Sequence, residues 1–458
     1  MHKHLSSTFL WACLALAGCA GEATVQRPDG AVVVPAGWTQ PTAAASTATK
    51  FPDGQWWRAF GSDELARLIA AAEAGNPDLA AASYRIAQAA AEARSARAGL
   101  YPTLDASASG SRSVRGEGRP SASIALGLDA SYELDIWGEN RARADAAVAS
   151  RIATEHDREA VALSLVADVA TTYLQLLSYE DRLRTAQEVL DLSRRVLGLV
   201  ETQARIGTAS QLEVAQQRLT VANLEAALPS LMLQRDQTRN ALAALVGTTP
   251  GALAVNATTL DDITLPAVAP GLPSELLQRR PDLRAAEAEI RAAGASLEAA
   301  RAAMFPSIRL TSSAGLSSDA LTALFQPAGF LANLASGLTA PVFDAGRLAA
   351  ARDSAAAQEA IAIESYRAAV LAAFRDVEDA LAAVRYHAER AAIGERAVAE
   401  ARRAYNLAAV QYQAGATDFI TLLDAQRALS SQLDEQRQIR FDQLAAAVDL
   451  YRSLGGGW

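Results

Sequence analysis

Cysteine and histidine are scarce in this chain of 458 residues, which contains two cysteines and four histidines. Cys13 lies in a short N-terminal apolar run that we predict is removed, so the mature chain keeps only Cys19. One cysteine excludes an internal disulfide and a cysteine-based metal or redox site. Beyond the first four residues only His156 and His387 remain, which argues against a histidine-based catalytic or metal site.

An excess of basic charge and long apolar runs are also missing. The formal net charge is −9, so the basic footprint of a nucleic-acid-binding protein is absent. After the N-terminal region no stretch of 18 apolar residues occurs, so we predict no transmembrane helix, and a chain that crosses a membrane without one must form a closed β-barrel. No nucleophile elbow, metal-spaced histidine cluster or phosphate-binding glycine loop is found. We therefore expect neither an enzyme nor a bound cofactor or metal.

The N-terminus has the layout of a secretory signal peptide over residues 1–18. A short basic segment precedes an apolar run, Phe9 to Ala17, which is too short to span a bilayer. Leu16-Ala17-Gly18-Cys19 resembles the lipobox of bacterial lipoproteins, which implies a lipidated, palmitate-bearing Cys19. Ala20 in place of Asp implies sorting to the outer membrane. The alternative is an ordinary signal peptide with a chance cysteine.

Proline is absent between Pro120 and Pro229 and again after Pro341. Both stretches are rich in good helix formers and predict long helices, each followed by a glycine-containing turn and a return helix. A helix of sixty-odd residues spans roughly 100 Å, far more than a globular core requires. The predicted helices are 62–99, 140–205 and 209–246, then 274–303, 345–413 and 418–454.

The chain also repeats itself. Asn76-Pro77-Asp78-Leu79 recurs as Arg280-Pro281-Asp282-Leu283, an offset of 204, and Arg205–Thr208 recurs as Gln413–Ala416, an offset of 208. Ordered matches with a slowly drifting offset indicate an internal duplication. The predicted organisation is a signal peptide (1–18), a lipid-anchored extended tail (19–61), a first repeat (62–246), a linker (247–273) and a second repeat (274–458).

Each repeat contains two segments in which apolar and polar residues alternate, a period typical of strands with one apolar face. Such strands suit a barrel wall with an apolar lipid-facing side, or the half-buried strands of a soluble sheet. Four strands are too few to close a barrel, so several chains would have to contribute. The predicted lipid-facing residues are Ile124, Leu126, Leu128, Tyr132, Leu134, Ile308, Leu310, Leu334 and Leu338.

Several motifs together resemble the TolC/OprM family of outer-membrane efflux proteins, and the lipobox brings the chain nearest the OprM/NodT-like lipoprotein branch. They are Trp56-Trp57, Asn76–Leu79, Tyr101-Pro102, Gly415 and Leu422–Arg427. The resemblance implies a mainly α protomer with a small β part, whose long periplasmic hairpins form an α-barrel. It implies a homotrimer with one twelve-stranded β-barrel in the outer membrane, four strands from each chain. The implied partners are outer-membrane lipid, a periplasmic membrane-fusion adaptor and an inner-membrane pump of the resistance-nodulation-division (RND) type.

The resemblance also assigns two sets of functional residues. Thr421, Asp424 and Arg427 are placed at a periplasmic gate that closes the duct at rest, although on spacing alone Asp424 and Arg427 are an ordinary surface pair. The helix tips that contact the adaptor are Gly207, Thr208, Gly415, Ala416 and Thr417, which otherwise read as simple turns. The function implied is passive efflux of small molecules; the alternatives are the exit duct of a type I protein-secretion system and a structural coiled-coil lipoprotein without a pore.

Overall fold

The computed structural model of the protein describes residues 32–40, 54–114, 121–256, 259–268 and 270–456. The predicted signal peptide and Cys19 lie outside the described residues. Within them the two halves of the chain contain the same sequence of elements: two helices, two strands, a very long helix and a return helix. The elements of the first half are α1 (Asp63–Gly75), α2 (Pro77–Ala98), β1 (Thr103–Ser113), β2 (Ser121–Leu134), α3 (Glu139–Arg205) and α4 (Gln211–Val246). Those of the second half are α5 (Pro273–Arg279), α6 (Pro281–Ala302), β3 (Ser307–Ser318), β4 (Phe330–Thr339), α7 (Arg347–Gln413) and α8 (Phe419–Ser453).

The prediction of one continuous helix at the start of each repeat was wrong. Each region is instead two helices, interrupted at Asn76 in the first half and at Arg280 in the second. Both residues have extended backbone, with ψ of 125° and 122°. Each precedes a proline, and the proline ring disfavours the α conformation in the residue before it.

One helix bears on the prediction that the chain has no transmembrane helix. α3 contains one segment that is long and apolar enough by length and composition, and 61% of that segment is buried inside the protein. Val169, Tyr173 and Leu174 within α3 are fully buried in the protein's own core. The apolar composition of this segment is therefore accounted for by packing between helices.

The described residues form two compact units. One unit comprises Tyr84–His156 and Ala285–Ala368 and contains the sheet. The other comprises described residues of Val32–Ser83, Asp157–Arg284 and Ala369–Trp458, and contains the helical hairpins and both helical turns.

The sheet is antiparallel with the strand order β1-β2-β3-β4. Leu128 lies opposite Ala106 on one side and Ala314 on the other, and Ile308 lies opposite Leu338. Directly opposite residues share a face, so the register places the even-numbered residues of all four strands on one face. That face is mostly apolar, and the odd-numbered face is mostly serine, threonine and charged residues.

The main core of the helical unit contains residues that precede α1. Trp56 and Phe60 belong to a short 3₁₀ helix inside the segment predicted as an extended tail, and both are buried. The Trp56 ring stacks on Tyr451 of α8, with 4.9 Å between ring centroids. Further upstream, the Trp38 indole donates a hydrogen bond to the Gly271 carbonyl at 2.9 Å. The segment before α1 is thus fastened to the helices.

The segment between the repeats is likewise bound to the helices. The buried Asp181 carboxylate of α3 accepts a hydrogen bond from the Leu260 backbone N–H at 2.9 Å. Arg437 of α8 contacts both carboxylate oxygens of Asp261 at 3.1 Å. Leu260 and Ile263 add their side chains to the same core as Trp56.

Candidate functional site

Two helical turns of the same design connect α3 to α4 and α7 to α8. Gly207 and Gly415 have φ of 84° and 70°, a left-handed conformation that glycine adopts without a steric penalty. The Thr208 N–H bonds the Gln203 carbonyl at 2.9 Å, and the Ala416 N–H bonds the Gln411 carbonyl at 2.8 Å. These six-residue closures satisfy the last carbonyls of each long helix.

The predicted contact residues of these turns are Gly207, Thr208, Gly415, Ala416 and Thr417. Thr417 is half-buried and the other four are exposed. Exposed backbone and short side chains at the end of a helical hairpin leave room for a partner helix to approach closely. The structure therefore places all five where contact with another protein is sterically open.

The first residue after each turn caps the return helix. Ser210 accepts a hydrogen bond from the Glu213 N–H at 3.2 Å, and Asp418 accepts one from the Thr421 N–H at 2.8 Å. The Thr421 hydroxyl also donates to Asp418 at 2.6 Å. These two bonds from Thr421 lower the pKa of the Asp418 carboxyl, because both are made to its charged form.

The three predicted gate residues lie on the exposed side of α8. Asp424 and Arg427 form an ion pair with 3.7 Å between Oδ1 and Nη1, and their side chains are 68% and 60% exposed. Thr421 is exposed as well, but its hydroxyl is bound to Asp418. An exposed pair of this kind contributes only a few tenths of a kcal/mol within one chain. Most of the capacity of Asp424 and Arg427 for polar contacts therefore remains available to another chain.

The opposite side of α8 is buried against the other three helices of the two hairpins. The apolar cluster there contains Val196, Val200, Val214, Tyr405, Ala408, Tyr412, Phe419, Leu422, Leu423 and Leu429. Since α8 carries the gate residues on one side and this cluster on the other, a movement of α8 must disturb the cluster.

Tyr412, which was not predicted from the sequence as a functional residue, connects the two hairpins. Its hydroxyl lies 3.1 Å from Glu213 Oε2 in the first turn of α4. Burial, together with the hydrogen bond to Glu213 and its charge, raises the pKa of Tyr412 to about 12. The phenol is therefore neutral at physiological pH and donates to the carboxylate. The sequence does distinguish this position, because the two repeats differ there: the residue equivalent to Tyr412 in the first repeat, at an offset of 208, is Ala204.

The nine predicted lipid-facing residues all lie on the even-numbered face of the sheet. Several are strongly exposed, among them Leu128 at 51%, Leu334 at 78% and Leu338 at 69%. On the opposite face, Arg309 contacts Glu133 at 3.1 Å and the Ser107 hydroxyl contacts Asp129 at 3.2 Å. One sheet thus has an exposed apolar face and an opposite polar face.

An aromatic pair lies where β3 begins. The rings of Trp137 and Phe305 stack with 4.8 Å between centroids, and the Trp137 indole donates to the Pro306 carbonyl at 2.7 Å. Trp137 and Phe305 are 50% and 51% exposed.

Among the described residues, no group of three or more His, Cys, Asp or Glu side chains is placed to hold a metal ion.

Comparison with known proteins accounts for the duplication and for the sheet. The sequence model of the family described as "Outer membrane efflux protein" matches twice, at residues 68–248 and 272–456. The chain is 41% identical over 457 residues to the pyoverdine export outer membrane protein OpmQ of Pseudomonas putida, covering 97% of this chain and 96% of the relative. It is 35% identical over 466 residues to the toluene efflux pump outer membrane protein TtgI of Pseudomonas putida, covering 98% and 97%.

Solved structures agree with this assignment. The open-state crystal structure of the Neisseria gonorrhoeae outer membrane channel MtrE superimposes with a TM-score of 0.86 at 31% identity, covering 94% of this chain and 97% of that one. The predicted mainly helical, internally repeated fold with four strands is confirmed. So is the predicted location in the outer membrane, extending into the periplasm. The chain belongs to the outer membrane efflux protein family, the TolC/OprM family, and is an outer-membrane efflux channel.

Proposed function

We propose that the protein is the passive, trimeric outer-membrane channel of a tripartite efflux system, closed at rest by polar contacts at its helical turns. The observation that carries this proposal is the state of the sheet edges. In the part of the chain that the structure describes, β1 and β4 each pair with a neighbour on one side only. These edges are 11 and 10 residues long, and edges of that length invite pairing with another chain.

Pairing between copies follows from the surroundings of the sheet. In a bilayer every backbone N–H and C=O must be bonded within the protein, so a sheet that crosses it must close on itself. Small barrels need about eight strands, and three copies of a four-stranded sheet supply twelve. The apolar face, with Leu128, Leu334 and Leu338, would then contact lipid.

Lipid attachment at Cys19 would add a second membrane contact. A single acyl chain of myristoyl size binds membranes only marginally, whereas several chains on one residue give a firm anchor. We propose that Cys19 carries such an anchor, upstream of the described segment in which Trp38 is bound to the Gly271 carbonyl.

At the turns, we propose that Asp424 and Arg427 form contacts between copies that close the duct. Three copies of Asp424 around one axis would also raise the local concentration of cations, as charged rings do in other channels. Gly207, Thr208, Gly415, Ala416 and Thr417 would receive the periplasmic adaptor, which joins the channel to an inner-membrane pump of the RND type.

The relatives favour efflux over the exit duct of a type I protein-secretion system, since OpmQ and TtgI are named for pyoverdine and toluene. Toluene is a small apolar hydrocarbon, and pyoverdine is chemically unlike it. A fold that serves both suits a passive duct whose pump selects the cargo. A structural lipoprotein without a pore is disfavoured by the two-faced sheet with open edges.

Single-channel recording in planar bilayers tests the proposal. Purified protein should insert as a cross-linkable trimer, stay mostly closed, and open more often when Asp424→Ala removes the interchain contacts. A matched control is Asp379→Ala, which removes an exposed aspartate of α7 far from the turn. Radiolabelled palmitate should label the wild type and not Cys19→Ala. Protein that forms trimers without any conductance would contradict the channel, and unchanged closure in Asp424→Ala would contradict the gate.

A further inference from the structure

A buried polar cluster lies at the interface between the two hairpins, on the opposite side of α8 from Asp424. It consists of Gln217 on α4, Gln426 on α8 and Ser193 on α3, which are 0%, 2% and 0% exposed. The residues around it are the apolar cluster of the turns, including Val196, Val214 and Leu429. Two amides and a hydroxyl in such surroundings call for a physical explanation, because buried polar groups normally find partners.

The hydrogen bonds of this cluster are unevenly distributed. Gln217 Nε2 lies 2.9 Å from the Ser193 carbonyl, 2.9 Å from the Ser193 hydroxyl and 3.4 Å from Gln426 Oε1. Gln217 Oε1 and Gln426 Nε2 have no hydrogen-bond partner. Thus three acceptors share the Gln217 nitrogen, while the Gln217 oxygen and the Gln426 nitrogen make no hydrogen bond.

The orientation of both amides follows from the Ser193 carbonyl. A carbonyl only accepts, so Gln217 must present its nitrogen to it. Gln426 must then present its oxygen to the same nitrogen, because its own N–H group there would face another donor. Rotating either amide by 180° replaces an attractive contact with a repulsive one, so the unused donor and acceptor cannot be removed by reassignment.

The two unused atoms are complementary. Gln426 Nε2 is a donor and Gln217 Oε1 is an acceptor, and they belong to the two helices that would move past each other if α8 shifted relative to α4. Buried amide pairs between helices are known to select one register at a cost in stability. A second arrangement, in which Gln426 Nε2 donates to Gln217 Oε1, would pair both groups and would require a displacement of α8 relative to α4.

We infer that Gln217 and Gln426 are positioning residues of the gate, which hold α8 in the closed register by one amide contact and accept a second register when the duct opens. This inference rests on the proposed channel function. Gln426 follows Asp424 by two residues on the same helix, so the exposed gate contact and the buried amide contact move together. The unpartnered groups keep the closed packing less stable than an apolar interface of the same shape would be.

The inference predicts opposite effects of single and double substitutions. Gln217→Met leaves the Gln426 amide and the Ser193 acceptors without their donor, so the closed state weakens and the open probability rises severalfold. Gln217→Met together with Gln426→Met removes both amides and extends the apolar cluster, so the open probability falls below that of the wild type. The matched control is Gln234→Met, an exposed glutamine on the same helix, which should leave opening unchanged.

The experiment is single-channel recording of the four proteins in planar bilayers, with trimer formation checked by chemical cross-linking. A purely structural role would lower the melting temperature of the single and double variants and leave the open probability of the folded trimers unchanged, which overturns the inference. Equal effects of the single and double variants would overturn it as well. Absence of conductance in the wild type would instead count against the channel function itself.

Discussion

The two helical hairpins are copies of one design, yet they present different chemistry at equivalent positions. The first hairpin comprises α3 and α4, and the second comprises α7 and α8. Counted at an offset of 208, Asp424 and Arg427 of the second hairpin correspond to Gln216 and Leu219 of the first. Both turns close with the same hydrogen bonds and a left-handed glycine. Backbone geometry was therefore retained in both copies while the exposed surfaces diverged.

The exposed surfaces of the two return helices differ in polarity. On α4 the position equivalent to Arg427 is the apolar Leu219, which is 59% exposed, whereas the exposed Leu212 is matched on α8 by Ile420 at 57%. Beside Leu219, the exposed Arg218 pairs with Glu201 of α3. On α8 the corresponding region exposes the ion pair of Asp424 and Arg427. An apolar surface suits permanent packing against another helix, whereas an exposed ion pair suits contacts that form and break. The second hairpin is accordingly the one that we expect to move.

The same contrast recurs where each repeat begins. Asn76 donates to the Leu245 carbonyl at 2.9 Å and accepts from the N–H groups of Asp78 and Leu79. Its counterpart Arg280 donates to the Ser453 carbonyl at 3.2 Å but binds Asp282 with two nitrogens and also reaches Asp376. The first copy thus uses a neutral helix cap, and the second uses a charged network.

The largest expected effect comes from replacing the charged network at Arg280 with the neutral cap found at Asn76. Arg280→Ala removes all the hydrogen bonds of a largely buried guanidinium, and we expect it to lower the free energy of unfolding by about 2–3 kcal/mol per chain. Arg280→Asn restores the cap used in the first copy and should recover about 1 kcal/mol of that loss. Thermal unfolding in detergent measures both. Equal melting temperatures for the Ala and Asn variants would show that the two copies are not interchangeable at this position.

A smaller effect is expected from the contact that joins the hairpins. Tyr412→Phe keeps the ring in the apolar cluster and removes only the hydrogen bond to Glu213, at a cost of about 1 kcal/mol per chain. The pKa of Tyr412 is raised in the folded state, so its contribution is fully present below pH 10 and is lost as the pH rises towards about 12.

Unfolding measured across that alkaline range should show a steeper loss of stability in the wild type than in Tyr412→Phe. Tyr386→Phe is the control, since it removes the hydroxyl of a tyrosine on the same helix that is 55% exposed and outside the cluster. A wild-type profile that runs parallel to that of Tyr412→Phe between pH 10 and 12 would show that the Glu213 contact does not stabilise the junction.

Much of the fold follows from local patterns in the sequence. The proline-free stretches define the long helices, and the alternation of apolar and polar residues defines the sheet, because both are properties of neighbouring residues. The breaks at Asn76 and Arg280 were also readable from the prolines that follow them. The predicted gate residues are exposed on one helix, as a motif within a single helix would suggest.

The contacts between the two hairpins could not be predicted from local sequence patterns. Tyr412 meets Glu213 across 199 residues of sequence, and Gln217 meets Gln426 across 209. Nothing in the local sequence distinguishes the buried Gln217 from the half-buried Gln216 beside it, since only the packing of four helices buries one of the two completely. Asymmetry between the copies, such as Tyr412 against Ala204, is the one signal that survives in the sequence.

The smallest effect per chain is expected from exchanging the exposed residues of the two hairpins. Asp424→Gln with Arg427→Leu gives α8 the residues of α4, and Gln216→Asp with Leu219→Arg gives α4 those of α8. An exposed pair contributes a few tenths of a kcal/mol, so three copies add to about 1 kcal/mol, or roughly a fivefold change in the open-to-closed ratio. We expect that change in the first variant and none in the second, because only the second hairpin carries the gate. Single-channel open probability and the entry of a large antibiotic into cells measure it. A leak of equal size in both variants would mean that both hairpins contribute equally to closing the duct. The difference between their exposed surfaces would then not correspond to a difference in function.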